Sequence, residues 1–269
     1  MREKGANQAP SALEKQNELI ARLRGRMPVI FLDYDGTLAP TVEEPSEALL
    51  PENIRELIKR LSEHWTVVIM TGRPLNDARK LVGLDNLVYV GSHGLEMMGP
   101  GDSFHETPGK QFRPVLDKAE REAREAFRDL DGVHLQRKPF SIAIHYRLAG
   151  KGVLPELETR VDDVAAHYPE LVKIREKDIF ELRPRNWNKG RALLDLLERF
   201  HIKASRSVPV YIGDDSTEED VFEAVAGRGI GILVSNGDQW TPATYTLRDP
   251  SEVAAFLEQL LQLFENTPS

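Results

Sequence analysis

The chain contains no cysteine. Disulfide scaffolding, zinc–thiolate centres and thiol catalysis are excluded together. Nor is there an apolar run near the roughly 18 residues that cross a bilayer, or an apolar signal-peptide core at the N-terminus. With no export signal, the cytoplasm is the expected location. Positive charge is in deficit: 35 Lys and Arg face 43 Asp and Glu, a net charge of −8. Phosphate backbones select basic surfaces, so nucleic acid is not the expected partner. What remains, 41% hydrophobic and 29% charged residues over 269 positions, describes a soluble globular chain of one large or two modest domains.

The most informative stretch is Pro28-Val29-Ile30-Phe31-Leu32-Asp33-Tyr34-Asp35-Gly36-Thr37-Leu38. An apolar run of strand length stops at two aspartates separated by one residue. A buried strand with acidic side chains at its C-terminal end is how open α/β sheets build active sites. Asp33 and Asp35 would share one face of a regular strand, so the pair needs a cation, or a proton on one member. Taken alone, the same residues also read as a strand ending in a polar turn at Gly36.

Residues 1–26 form an extension with an amphipathic pattern at Leu13, Leu19, Ile20 and Leu23. Beyond the first strand, Pro51 opens a helix carrying Ile54, Leu57, Ile58 and Leu61. Strands over 65–70 and 87–90 follow, ending in Thr71-Gly72-Arg73-Pro74 and Gly91-Ser92-His93-Gly94. Strands without polar alternation that hand over to loops or helices indicate a parallel sheet buried on both faces. The rhythm then changes. A long charged helix from Lys110 leads into helix-strand-strand-helix-strand-strand, the pattern of an α+β layer. The expected organisation is a doubly wound, Rossmann-like core over 27–108 and 185–269, interrupted by an inserted α+β domain over 109–184. Between Lys110 and Arg183 there are 15 basic and 14 acidic residues, so the chain's excess negative charge lies outside the insert. That asymmetry points the insert toward something anionic. After Asn188 the first rhythm returns, with a helix from Lys189, a strand over 208–212 ending in Gly213-Asp214-Asp215, a helix over 218–226, a strand over 230–234, and a last helix expected to be capped by Ser251.

In such a sheet all C-terminal strand ends face one way, so Asp33, Asp35, Thr71, Lys189, Asp214 and Asp215 belong to one edge. Carboxylates suit a hard cation such as magnesium, which accepts phosphate oxygens as further ligands. Thr71, the N–H of Gly72 and Lys189 would supply hydrogen bonds to a phosphoryl group.

Asp33-Tyr34-Asp35-Gly36-Thr37, Thr71-Gly72-Arg73, Lys189 and Gly213-Asp214-Asp215 resemble, in order and spacing, the four motifs of the haloacid dehalogenase superfamily. More narrowly, the chain is similar to the trehalose-6-phosphate phosphatases, through 91–96, Ala143-Ile144-His145-Tyr146-Arg147, 180–184 and 213–220. There the insert is an α/β cap. The resemblance implies magnesium-dependent hydrolysis of trehalose 6-phosphate through an aspartyl-phosphate. It implies Asp33 as nucleophile and Asp35 as general acid/base. Magnesium would take Asp33, the backbone carbonyl of Asp35 and Asp214, with Asp215 supporting them. Thr71, Gly72 and Lys189 would hold the phosphoryl group, and Arg73, His93, Lys138, Arg147 and Glu181 the substrate. A monomer with a small-molecule substrate and no nucleic-acid or membrane partner is expected. Where the family often carries Glu-x-Lys on a cap strand, this chain has Gln136-Arg137-Lys138, an amide in place of a sugar-binding carboxylate; it also has Glu218-Glu219-Asp220 in place of Asp-Glu-Asp. Mannosyl-3-phosphoglycerate or sucrose phosphate as substrate, a phosphomutase, and a sugar-phosphate sensor without catalysis are the competing readings.

Overall fold

A computed structural model describes residues 9–42, 47–150, 152–176, 178–200, 206–214, 219–237 and 241–265. The chain forms two compact units, Met1–Glu106 with Asn188–Ser269, and Thr107–Trp187.

The first unit is built on an eight-stranded sheet. Its chain-order elements are α1 (Gln16–Leu23), β1 (Met27–Leu32), α2 (Glu52–Ser62), β2 (Thr66–Met70), α3 (Leu75–Val82), β3 (Val88–Gly91), β4 (Glu96–Met98) and β5 (His105–Glu106). After the inserted unit come α6 (Lys189–Arg199), β10 (Ser207–Gly213), α7 (Glu219–Val225), β11 (Ile230–Val234), β12 (Tyr245–Leu247) and α8 (Pro250–Glu265). The strand order is β12-β11-β10-β1-β2-β3-β4-β5. Every pairing from β12 to β3 is parallel, while β4 pairs antiparallel with both β3 and β5. Val29 to Leu32 are buried without alternation, as a strand covered on both faces requires. From β1 the chain winds outward through β2 and β3, then returns on the other side through β10 and β11. The winding reverses between β1 and β10, the topological switch point where ligand sites form in such sheets.

Three short strands escape the sequence pattern. β4, β5 and β12 have three, two and three residues, too few for a period of two to stand out. The N-terminal segment contributes to the sheet as well. Ala12 N donates to Thr246 O at 2.9 Å and Thr246 N to Pro10 O at 3.0 Å, while Ala12 and Leu19 enter the core cluster. The start of α8 also differs from expectation. Asp249 is the cap, its Oδ1 accepting from the N–H groups of Ser251 and Glu252 at 2.9 and 3.0 Å. Pro250, lacking an N–H, takes the first helical position and leaves the capping place to Asp249.

In the inserted unit, α4 (Arg113–Ala126), β6 (His134–Lys138), β7 (Ser141–His145), α5 (Leu154–His167), β8 (Leu171–Glu176) and β9 (Ile179–Pro184) follow in turn. The antiparallel sheet is ordered β6-β7-β9-β8. Ile142 pairs with Leu182 and Ile144 with Phe180, all fully buried, on one face. Alternation turns Gln136, Lys138, Ser141, Ala143, His145 and Glu181 to the other. Among the described residues, no helix is long and apolar enough to cross a membrane.

Candidate active site

At the switch point, Leu32 lies opposite Ile212 and the ladder runs one step further, Asp33 N donating to Ile212 O at 2.9 Å. Asp33 and Asp214 therefore leave adjacent strand ends. Gly36, at φ +75°, turns the chain back, and a Cβ there would fall on the Asp214 carboxylate. Only glycine allows both the turn and that close approach.

Asp33 is 4% exposed and Lys189 8%. Lys189 Nζ donates to Asp33 Oδ1 at 2.6 Å. The lysine opens α6, whose first turn is capped by Asn188 accepting from Arg191 N. A cation at a helix N-terminus opposes the dipole, so the position calls for an anion, and Asp33 supplies it. Asp35 has a different partner. Arg73 grips it at two points, Nε to Oδ2 at 2.7 Å and Nη2 to Oδ1 at 2.5 Å, with the guanidinium lying 5.3 Å from the centre of the buried Tyr34 ring. The hydrogen bond to Asp35 pushes the Arg73 pKa above its ordinary value, against the opposing effect of burial. Among the described contacts, Asp33 thus meets Lys189 and Asp35 meets Arg73.

Thr71 is buried, and its Oγ1 accepts from Arg73 N at 3.2 Å. His93 lies on the turn: a Cβ at Gly72 would sit 2.6 Å from the imidazole Cε1. Asp35, Arg73, Thr71, Gly72 and His93 are therefore linked through direct contacts, Asp33 pairs with Lys189, and Asp214 lies against Gly36. Asp215 lies outside the described residues. Tyr34 and Glu96, absent from the sequence-derived set, support the site: Tyr34 beneath Arg73, and Glu96 by accepting from Ser92 Oγ at 2.9 Å and Leu75 N at 3.3 Å. Glu96 stands inside the stretch 91–96 used for the resemblance, the one sequence signal that could have marked it.

The inserted unit holds its own polar cluster. Glu181, 3% exposed, accepts at Oε1 from Lys138 Nζ at 2.9 Å and Ser141 Oγ at 2.7 Å. On the same face His145 Nε2 lies 3.0 Å from Gln136 Oε1. Because the amide oxygen only accepts, the imidazole donates there. Burial, then the charges of Lys138 and His134, hold the His145 pKa below its usual value. Arg147 does not join this cluster. It is more than half exposed and pairs with Asp178 at 3.6 Å.

The donors at the sheet edge are hard oxygens. Among the described residues no three His, Cys, Asp or Glu side chains converge as a metal cluster. Two aspartates from adjacent strand ends plus a main-chain carbonyl nonetheless match magnesium, which retains waters and takes few protein ligands.

A parallel sheet with carboxylates and an ammonium at its switch point, interrupted by an α+β insert, is the fold of the haloacid dehalogenase-like hydrolases. Known structures share that architecture. The chain superimposes on the C-terminal domain of trehalose-6-phosphate phosphatase from C. albicans with a TM-score of 0.78 at 21% identity, covering 95% of this chain and 99% of that one. A trehalose-6-phosphate phosphatase related protein gives 0.73 at 28% identity, covering 88% and 98%. In sequence, trehalose-phosphate phosphatase B of Arabidopsis thaliana is 36% identical over 266 residues, 94% of this chain and 71% of that protein. The sequence profile of the trehalose-phosphatase family matches residues 31–251. The chain belongs to the trehalose-phosphatase family and is a phosphatase.

Proposed function

We propose that the protein hydrolyses trehalose 6-phosphate to trehalose and inorganic phosphate, in trehalose biosynthesis. The observation that carries this reading is family membership over 31–251 together with the buried Lys189–Asp33 pair at the switch point. In this reading Asp33 is the nucleophile, one oxygen held by Lys189 and the other directed to phosphorus. Its attack forms an O–P bond to Asp33 and breaks the bond to the sugar oxygen, which takes a proton from Asp35. In the second step Asp35 takes a proton from water, the water oxygen bonds phosphorus, and the Asp33–phosphorus bond breaks. As described, both Asp35 oxygens accept from Arg73, the arrangement that suits the second step. Protonating the leaving oxygen requires Arg73 to release at least one of them.

Thr71, the N–H of Gly72 and Lys189 bind the phosphoryl oxygens. Magnesium would be held by Asp33, the Asp35 carbonyl and Asp214, with Asp215 in support, and would neutralise charge on the transferring group. Lys138 and Glu181 of the inserted unit take sugar hydroxyls; Arg73 and Arg147 contribute through their reach to phosphate or sugar, and His93 through the turn that it covers. The chain works as a cytoplasmic monomer, without nucleic-acid or membrane partners.

The test is phosphate release over a panel of sugar phosphates with and without magnesium. Trehalose 6-phosphate is expected to be the fastest substrate, with turnover abolished by a chelator and by Asp33→Asn. Faster cleavage of sucrose phosphate or mannosyl-3-phosphoglycerate would reassign the substrate, a sugar bisphosphate intermediate would indicate a mutase, and binding without turnover would indicate a sensor.

A further inference from the structure

The loop after β3 is strained. Ser92 and His93 have φ of 50° and 55°, and Gly94 follows at 101°. Two consecutive non-glycine residues in the left-handed region are uncommon, and neither Ser nor His tolerates it as Gly would. Such conformations persist only where the surroundings over-determine them, and they gather at functional sites. Here every constraint leads to the same tripeptide. His93 N donates to Thr71 O at 3.1 Å, Ser92 N to Arg73 O at 2.7 Å, and Thr71 N to Val90 O at 2.9 Å. The His93 ring covers Gly72 so closely that a side chain at 72 would stand 2.6 Å from Cε1 and 2.7 Å from Nε2. Glu96 then locks the loop to the exit of the turn, accepting from Ser92 Oγ at 2.9 Å and from Leu75 N, at the start of α3, at 3.3 Å. Ser92 is buried, and both of these bonds are partly buried.

We infer that Ser92, His93 and Glu96 form a brace that fixes the Thr71–Gly72–Arg73 turn, with His93 acting as a positioning residue for the phosphoryl-binding N–H of Gly72. The inference rests on the reading of this turn as the phosphate site. It gives His93 a role other than direct contact with substrate: its ring lies on the main chain, and its left-handed backbone is what brings it there. Backbone strain at 92–93 is retained because relaxing it would free the turn.

Stability and ligand affinity therefore separate. A glycine at 93 accepts φ of 55° without strain but removes the ring. His93→Gly is expected to keep or raise the melting temperature while weakening inorganic phosphate binding about tenfold, the scale of a small misplacement of a binding group. The measurement is calorimetric titration of inorganic phosphate, with magnesium, into the full chain. His93→Asn, which also tolerates the left-handed region, is expected to weaken phosphate binding in the same direction. Glu96→Gln, which retains shape but lowers acceptor strength, is expected to do so more mildly. Wild-type phosphate affinity in both His93 variants would overturn the inference. So would a melting temperature for His93→Gly well below that of the wild type, because the ring would then serve stability rather than the turn. Failure of the wild-type protein to bind phosphate would overturn the assignment of the turn itself, and the brace with it.

Discussion

Asp33 and Lys189 are each nearly buried and stand 156 positions apart in sequence, yet meet at 2.6 Å. Removing two charges from water costs several kcal/mol each, and their attraction returns this only while both are present. Breaking one side of such a pair destabilises by about 3–5 kcal/mol, because the remaining charge is left buried. Lys189→Met is therefore expected to lose roughly that much in urea unfolding. The double variant Asp33→Asn/Lys189→Met should recover a large part of it, while phosphatase activity stays absent in both. A double variant that loses the sum of the two single losses would mean that the pair carries no coupling. Arg73 and Asp35 form the contrasting case. Asp35 is 41% exposed in its side chain, so this pair contributes little to stability, and its two-point geometry serves orientation.

At the scale of elements, the face of the inserted sheet that carries Lys138, Ser141, Gln136, His145 and Glu181 is polar but well satisfied. His145, at the end of β7, is held neutral first by burial and then by the positive charges of Lys138 and His134, with Glu181 opposing them. The sign follows directly. A histidine whose folded pKa is depressed costs nothing above the unfolded value of about 6.5. It costs stability as pH falls below that value, because the unfolded chain then gains a proton that the folded chain refuses. Melting temperature should therefore fall between about pH 7 and 5, and His145→Gln, which keeps a hydrogen-bonding group opposite Gln136, should flatten that slope relative to the wild type. An unchanged slope would show that His145 does not govern the acid response of this sheet.

For the molecule as a whole, the N-terminal segment is part of the core unit. It pairs with β12, the outermost strand, while Tyr245 OH donates to Glu18 Oε1 at 2.7 Å and Arg22 Nη2 to Gly229 O at 2.9 Å. An uncovered strand edge is a template for association. A chain shortened to begin at Glu14 loses the main-chain bonds to Thr246 and the buried Ala12. It is expected to melt earlier and to scatter light on heating, with its phosphate-release rate at low temperature unchanged. Identical melting of the two chains would reduce the segment to a passive tail.

Much of this was written locally. Unbroken apolar strands such as 28–32 and 208–212 determine a doubly buried parallel sheet, because a period-two polar pattern is missing where no face meets water. The direction of a parallel sheet then brings Asp33, Thr71, Lys189 and Asp214 to one edge, since all C-terminal strand ends face the same way. The tertiary structure alone decided the pairings within that edge. Nothing near Asp35 in sequence points to Arg73, 38 positions away, and nothing near Gly72 points to an imidazole lying on it. The strands β4, β5 and β12 and the pairing of the N-terminal segment with Thr246 also emerged only in three dimensions. Residues this short or this polar carry no period of their own. Their conformation is set by the neighbours they meet, and those meetings are fixed by the crossovers between strands rather than by any window of sequence.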